Sequence, residues 1–181
     1  PARDREVREI LVTARVGMLL RASFFGNLAT RLKLVNADEW CATAATDGSH
    51  LYYNTHFFSK MTTKEIEFVI AHEILHCVFD HMQARGDRKP QLYNAAADYN
   101  INMTLVEQNI GKPITEDKLE GGKICLDWKY QGWNSYEIYD DLLKTQQDAK
   151  GMDVHLDEMQ PGDEDGEGGQ GVEMSEEEKK E

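Results

Sequence analysis

Two histidines four residues apart, with a glutamate directly after the first, give this chain its clearest chemistry: His72-Glu73-Ile74-Leu75-His76. On an α-helix, positions i and i+4 differ by about 40° in direction. Both imidazoles then point into one space, near enough to bind one metal ion. Glu73 projects beside them, where it can act on a metal-bound water. Two histidines with an adjacent carboxylate are what zinc-assisted hydrolysis needs. The competing reading is an ordinary helix with two satisfied core histidines.

The flanking sequence favours the metal. Thr62 to Arg85 reads as one helix, with Thr62 and Glu65 as a capping box and Gly86 at the C′ position. Ile66, Val69, Ile70, Ala71, Ile74, Leu75, Val78 and Phe79 make it apolar on most sides, which predicts burial. Two histidines and a glutamate buried without partners would cost several kcal/mol. A bound cation removes that cost. Cys77 points about 100° away from His76 and reads as a small core residue.

A catalytic zinc site takes three protein ligands and keeps one position open. The best third ligand is Asp98, on a second helix expected from about Asn94 to Asn109 and ended by Gly111 and Pro113. Ala95, Ala96 and Ala97 are small enough to let this helix approach the first closely. Asn102 lies one turn further on the same face, placed to orient a ligand. The bland reading makes the alanines a packing face and Asp98 a surface charge.

His81 is the rival ligand. Five residues after His76 on a continuous helix, it points about 140° away and reaches the metal only if the helix breaks first. The metzincin pattern needs a glycine and a third ligand where this chain has Phe79 and Met82, so that pattern fails. A structural role, or one of orienting a ligand, fits His81 better.

Several stretches together carry a family resemblance. They are Ala45-Thr-Asp-Gly-Ser-His-Leu-Tyr-Tyr-Asn54, Ala71-His-Glu-Ile-Leu-His76 with His81, and Ala96-Ala-Asp-Tyr-Asn-Ile-Asn102, with a weaker match at Ser135-Tyr-Glu-Ile-Tyr-Asp-Asp-Leu142. Over roughly residues 30 to 145 the chain resembles the metallopeptidase-type domain that often precedes a von Willebrand factor A-like domain in bacterial and phage proteins. The resemblance implies a zincin-like α+β fold, with His72, His76 and Asp98 binding zinc and Glu73 catalysing. It also implies neighbours of the von Willebrand factor A or AAA-type ATPase kind. No von Willebrand-type module is recognisable in these 181 residues.

The mechanism expected of such a site is direct. Zinc lowers the pKa of its water, and Glu73 takes the proton as the water attacks a peptide carbonyl and then delivers it to the leaving amine. One further donor stabilises the oxyanion. Tyr139, Tyr99 and His81 are the candidates. Tyr139 is favoured, against the plain alternative that a tyrosine at helical spacing is core.

The remaining elements must position these groups. Residues 2 to 22 read as a helix with Val7, Ile10, Leu11, Ala14 and Met18 on one face, closed by Phe24-Phe25-Gly26. Thr30 to Asn36 alternates as a strand. Cys41 to Thr46 and His50 to Asn54 flank Asp47-Gly48, a strong hairpin signal. In zincins an edge strand beside the active helix pairs with extended substrate, and this hairpin is the natural candidate. The alternative is a purely structural sheet, and His50 and His56 read as surface or core residues rather than ligands. Lys112 to Trp133 reads as a loop or hairpin, and Asn134 or Ser135 caps a last helix to about Lys144. The architecture expected is a small antiparallel or mixed sheet, its edge hairpin packed on the HExxH helix, and a second ligand-bearing helix.

Charge divides the chain. The net charge is −13; residues 151–181 hold 12 acidic and 2 basic residues, six glycines and no aromatic residue. The expectation is one zincin-like domain over 1–150 and a disordered acidic tail or linker over 151–181. Acidity and the lack of a basic, aromatic-studded patch argue against nucleic acid as a partner. No apolar run is long enough for a membrane span, and charges from Arg3 to Arg21 interrupt any signal segment. Three cysteines without CxxC spacing suit a reducing cytoplasm. The function expected is a zinc metalloendopeptidase acting on protein or peptide substrates. The alternatives are a zinc-binding interaction module without turnover and a partner-recognition protein working through the acidic tail. An intact Glu73 argues against the first, because a purely structural site needs no base.

Overall fold

The computed structural model describes residues 2–119 and 124–145. The expected boundary at 150 and the acidic tail lie outside the described residues. The fold is α+β, with helices around a small mixed sheet.

Helix α1 (Ala2–Arg21) buries Val7, Leu11, Ala14 and Met18, spaced by fours and threes along one face. Ile10, grouped with them from sequence, is exposed. Helix α2 (Ser23–Arg31) begins after the single residue Ala22. Phe24-Phe25-Gly26 therefore sits inside a helix instead of closing one. Gly26 makes the reversal possible: a Cβ there would run into the Leu19 backbone and lie 2.7 Å from the Met18 carbonyl carbon. Arg15 Nη1 donates to the Ala29 and Leu32 carbonyls at 3.2 and 2.9 Å, satisfying the C-terminal end of α2. That end takes up Thr30 and Arg31, so the strand expected from Thr30 starts only at Lys33.

Strands β1 (Lys33–Asn36), β2 (Ala44–Thr46) and β3 (His50–Tyr53) form a sheet of order β1-β3-β2. β3 runs parallel to β1 and antiparallel to β2. The hairpin turns where the sequence marks it. Gly48 takes a φ of +89°, and the Asp47 carboxylate accepts the Ser49 and His50 N–H groups at 2.8 and 2.7 Å. β2 lies at a sheet edge and packs against the fourth helix.

After the short α3 (Thr55–Ser59) comes α4 (Thr63–Val78), which carries the HExxH residues. Its capping box is formed: Thr62 N–H donates to Glu65 Oε1 at 3.1 Å and Glu65 N–H to Thr62 Oγ1 at 3.3 Å. Every residue from Glu65 to His76 is buried, as a helix apolar on most sides requires. Two charged residues at its start are buried with partners, Glu65 with Lys118 and Glu67 with Arg21. Removing Lys118 would take the counter-ion from buried Glu65, whereas Glu67 also pairs with Lys64 Nζ at 3.6 Å.

The helix does not run to Arg85. It stops at Val78, Asp80 turns left-handed with φ +50°, and a separate short helix α5 (His81–Ala84) follows. Val78 and Phe79 are exposed at this end rather than core. Helix α6 (Pro90–Glu107) starts four residues earlier than expected, with Pro90 in the first turn, where its missing N–H costs nothing. From α6 to α7 (Ser135–Thr145) the described chain is loop with two short 3-10 turns, Glu116–Lys118 and Trp128–Tyr130. Asn134 caps α7, its Oδ1 accepting Glu137 N–H at 2.9 Å.

One core cluster gathers Leu11, Met18, Leu51, Phe68 and Ile70 from α1, β3 and α4. A second gathers Tyr93, Tyr99, Tyr130, Ile138 and Leu142 from α6, the loop and α7. α4 also packs on α6. No helix among the described residues is long and apolar enough to cross a membrane.

Candidate metal centre

The three alanines before Asp98 are fully buried, and so are Asp98 and Asn102. Ala95 and Ala96 pack in the cluster with Tyr139 and Leu142 of α7, not against α4 as expected from sequence; α6 contacts α4 on another face. That contact carries Asp98 to the histidine pair. His76 Nε2 lies 2.9 Å from His72 Nε2 and 2.9 Å from Asp98 Oδ1, and His72 Nε2 lies 3.1 Å from the same oxygen. The three atoms form a nearly equilateral triangle. His72 and Asp98 are inaccessible to solvent, while His76 keeps 8% of its surface exposed.

The hydrogen bond on the far side of His72 fixes its tautomer. Asn102 Nδ2 lies 3.0 Å from the Cys125 carbonyl oxygen, which can only accept, so the amide nitrogen faces Cys125 and Oδ1 faces His72. His72 Nδ1–H donates to that Oδ1 at 2.8 Å. The neutral ring then turns a lone pair outward at Nε2, toward His76 and Asp98. On His76 it is Nδ1 that faces another residue, His81 Nδ1, at 3.3 Å. His76 Nε2 points into the triangle.

These atoms fit a metal ion. A cation held between them would satisfy both the His72 Nε2 lone pair and the Asp98 carboxylate oxygen, which lie 3.1 Å apart and out of solvent. Zinc ligands stand about 2.0–2.2 Å from the ion, which in tetrahedral geometry separates them by about 3.3 Å or slightly more. The triangle here is a few tenths of an ångström tighter. His72, His76 and Asp98 are the group of buried donors among the described residues able to hold a metal.

Glu73 is 2% exposed and follows the first of these histidines on α4. The break at Asp80 is the event that would have let His81 reach the metal position. It delivers His81 instead to the back of His76, where the imidazole is 5% exposed and its ring centroid is 5.4 Å from that of His76. The orienting reading of His81 agrees with this placement, and the continuous helix on which it was argued does not exist.

Tyr139 lies in the aromatic cluster between α6 and α7, its ring 6.2 Å from that of Tyr93. Its hydroxyl oxygen accepts Lys89 N–H at 3.1 Å, at the residue that caps α6. Tyr99, the second tyrosine considered, stacks edge-on against Tyr130 at 5.1 Å, and burial pushes its phenol up to about 12. Neither hydroxyl belongs to the donor triangle.

Cys77 is exposed, contrary to its core assignment. Its sulfur nonetheless sits against the hairpin: burial pushes the thiol up, and the Thr46 hydroxyl and Gly48 N–H partly offset this. His50 pairs through Nδ1 with Asp47 Oδ2 at 2.9 Å, and His56 is exposed, so both stand apart from the centre. The feature sequence reasoning missed is the Cys125 carbonyl. No side-chain pattern marks a backbone acceptor, and it enters only when the loop before α7 is folded.

No match was found among curated proteins or among solved structures. A family model does match, over residues 7–181, and its description agrees with the donor set. By that match the chain belongs to the family described as "Putative metallopeptidase domain".

Proposed function

We propose that this chain is a zinc-dependent peptidase of zincin type, with His72, His76 and Asp98 as ligands and Glu73 as the general base. The observation that supports it most is the triangle of buried donor atoms 2.9–3.1 Å apart, with a buried glutamate directly after the first ligand. Two imidazoles and one carboxylate suit zinc in ligand type and leave a net charge of about +1 at the site. Zinc in such a set acidifies a water and polarises a carbonyl oxygen.

The chain's own groups do the rest. Asn102 and His81 contact the two imidazoles at Nδ1, and Nε2 of each is directed into the donor triangle, where an ion would be held. Glu73 accepts a proton from the attacking water and passes it to the departing amine, so one carboxylate serves both halves of the reaction. The β2 edge, the expected place for an extended peptide, is covered: Ala44, Ala45 and Thr46 are all buried, which favours a purely structural sheet. Tyr139 is assigned as donor to the oxyanion: its oxygen accepts Lys89 N–H and its own proton remains for donation. Three cysteines without CxxC spacing suit a reducing compartment such as the cytoplasm.

Metal analysis and peptide cleavage by the purified protein test this reading. We expect one equivalent of zinc, cleavage of a mixed peptide library, loss of cleavage with a chelator and its return with zinc. Cleavage that survives complete removal of metal would overturn it, as would a protein that takes up no zinc.

A further inference from the structure

We infer that Asn102 is a positioning residue whose two amide ends do separate jobs, Oδ1 fixing His72 for the metal and Nδ2 tying the loop at Cys125 to α6. The inference rests on the metal reading given above. Asn102 is 0% exposed and spans two contacts: His72 Nδ1–H donates to its Oδ1 at 2.8 Å, and its Nδ2–H donates to the Cys125 carbonyl at 3.0 Å. His72 is equally inaccessible, so no water replaces Asn102 as acceptor without opening the contact between α4 and α6.

A neutral imidazole carries one N–H, and the acceptor at one nitrogen decides which one is left as a lone pair. Without an acceptor at Nδ1, His72 gains as much by placing its proton on Nε2, 3.1 Å from the Asp98 carboxylate. A proton there blocks the ligand atom. Asn102 thus selects the tautomer that binds metal, and the Cys125 carbonyl prevents its amide from turning over. A flipped amide would point N–H groups at His72 and favour the wrong tautomer. The loop before α7 is in this way coupled to the metal site through a single side chain.

The two ends can be separated by substitution. Asn102→Asp keeps an acceptor for His72 but sets a carboxylate oxygen against the Cys125 carbonyl. Asn102→Ala removes both contacts. Zinc affinity of the purified apoprotein, measured by competition with a chromophoric chelator, should fall roughly ten- to hundred-fold in Asn102→Ala. In Asn102→Asp it should stay within about threefold of wild type, although that variant melts at lower temperature. Imidazole nitrogen NMR of the apoproteins gives a second readout: His72 carries its proton on Nδ1 in wild type and Asn102→Asp, and on Nε2 in a substantial fraction of Asn102→Ala. If Asn102→Ala does not fold, Asn102→Asp alone decides, since melting temperature should fall while affinity and tautomer hold. Affinity that falls with stability in Asn102→Asp, or is unchanged in a folded Asn102→Ala, would overturn the inference. A wild-type protein that binds no zinc would instead overturn the metal reading itself.

Discussion

His81 Nδ1 and His76 Nδ1 face each other at 3.3 Å, on opposite sides of a left-handed turn at Asp80. The imidazole of His76 therefore lies between His81 and the Asp98 carboxylate. On the proposed reading, this placement assigns different roles to two residues that the sequence alone left in competition for the third ligand position. A group behind a ligand tunes it, whereas a ligand holds the ion. Asp98→Ala should weaken zinc binding at least about tenfold more than His81→Ala does, and should abolish cleavage. His81→Ala should keep most of its zinc at micromolar protein while losing activity. Zinc titration of both variants decides: loss of metal in His81→Ala with retention in Asp98→Ala contradicts the assignment.

Gly26 tests the close reversal between α1 and α2. An added methyl there meets the backbone of Leu19 and Met18, which cannot move aside as a flexible side chain could. Gly26→Ala should cost about 1–3 kcal/mol, a fall in Tm of about 3–9 °C for a domain of this size. An unstrained helical glycine would instead gain about 1 kcal/mol from the same change. The sign of the Tm shift in calorimetry distinguishes the two, and a rise would show that the helices are not packed so closely.

Asp47 tests the hairpin beside α4. Burial pushes its carboxyl up, but the Ser49 and His50 N–H groups, the His50 ring and the Tyr52 hydroxyl together outweigh this and hold it at about 2, below the ordinary 3.8. A group depressed in the folded state stabilises above its unfolded pKa and loses that contribution as pH falls through the folded value. Asp47→Ala should therefore lower Tm at pH 6–7, and the gap from wild type should narrow between about pH 4 and pH 2. The carboxylate is about a third exposed, so the effect is modest, a few degrees at most. Melting curves across that range check it; a gap that does not vary with pH would show that the charge on Asp47 contributes nothing.

The candidate donor set was legible in part because the two histidines carry a local signal. The i, i+4 spacing placed His72 and His76 on one face, and Asp98 follows on α6; the run Ala95-Ala96-Ala97 was read as the face toward α4, whereas Ala95 and Ala96 pack toward α7. The hairpin at Asp47-Gly48 was legible from a local signal too. What sequence did not reveal depends on tertiary contact. The end of α4 at Phe79 has no glycine or proline to announce it; an aspartate takes the left-handed position instead. Gly86 does adopt φ +57°, as its C′ reading requires, but it follows α5 and not α4. Gly26 looked like a helix terminator, yet its missing side chain serves packing against α1. Cys77 looked like a core residue in an apolar run, but the helix emerges from the core just after His76.

In the proposed reaction Glu73 is the base and not a ligand. Glu73→Gln keeps the shape of the side chain and removes its capacity to accept the proton, while His72, His76 and Asp98 remain. The decisive measurement is peptide cleavage per bound zinc, wild type against Glu73→Gln, with zinc content measured on the same samples. The account predicts one zinc in both proteins, wild-type melting behaviour in both, and cleavage in Glu73→Gln reduced by roughly a hundredfold or more. Cleavage per zinc in Glu73→Gln equal to that of wild type would contradict it.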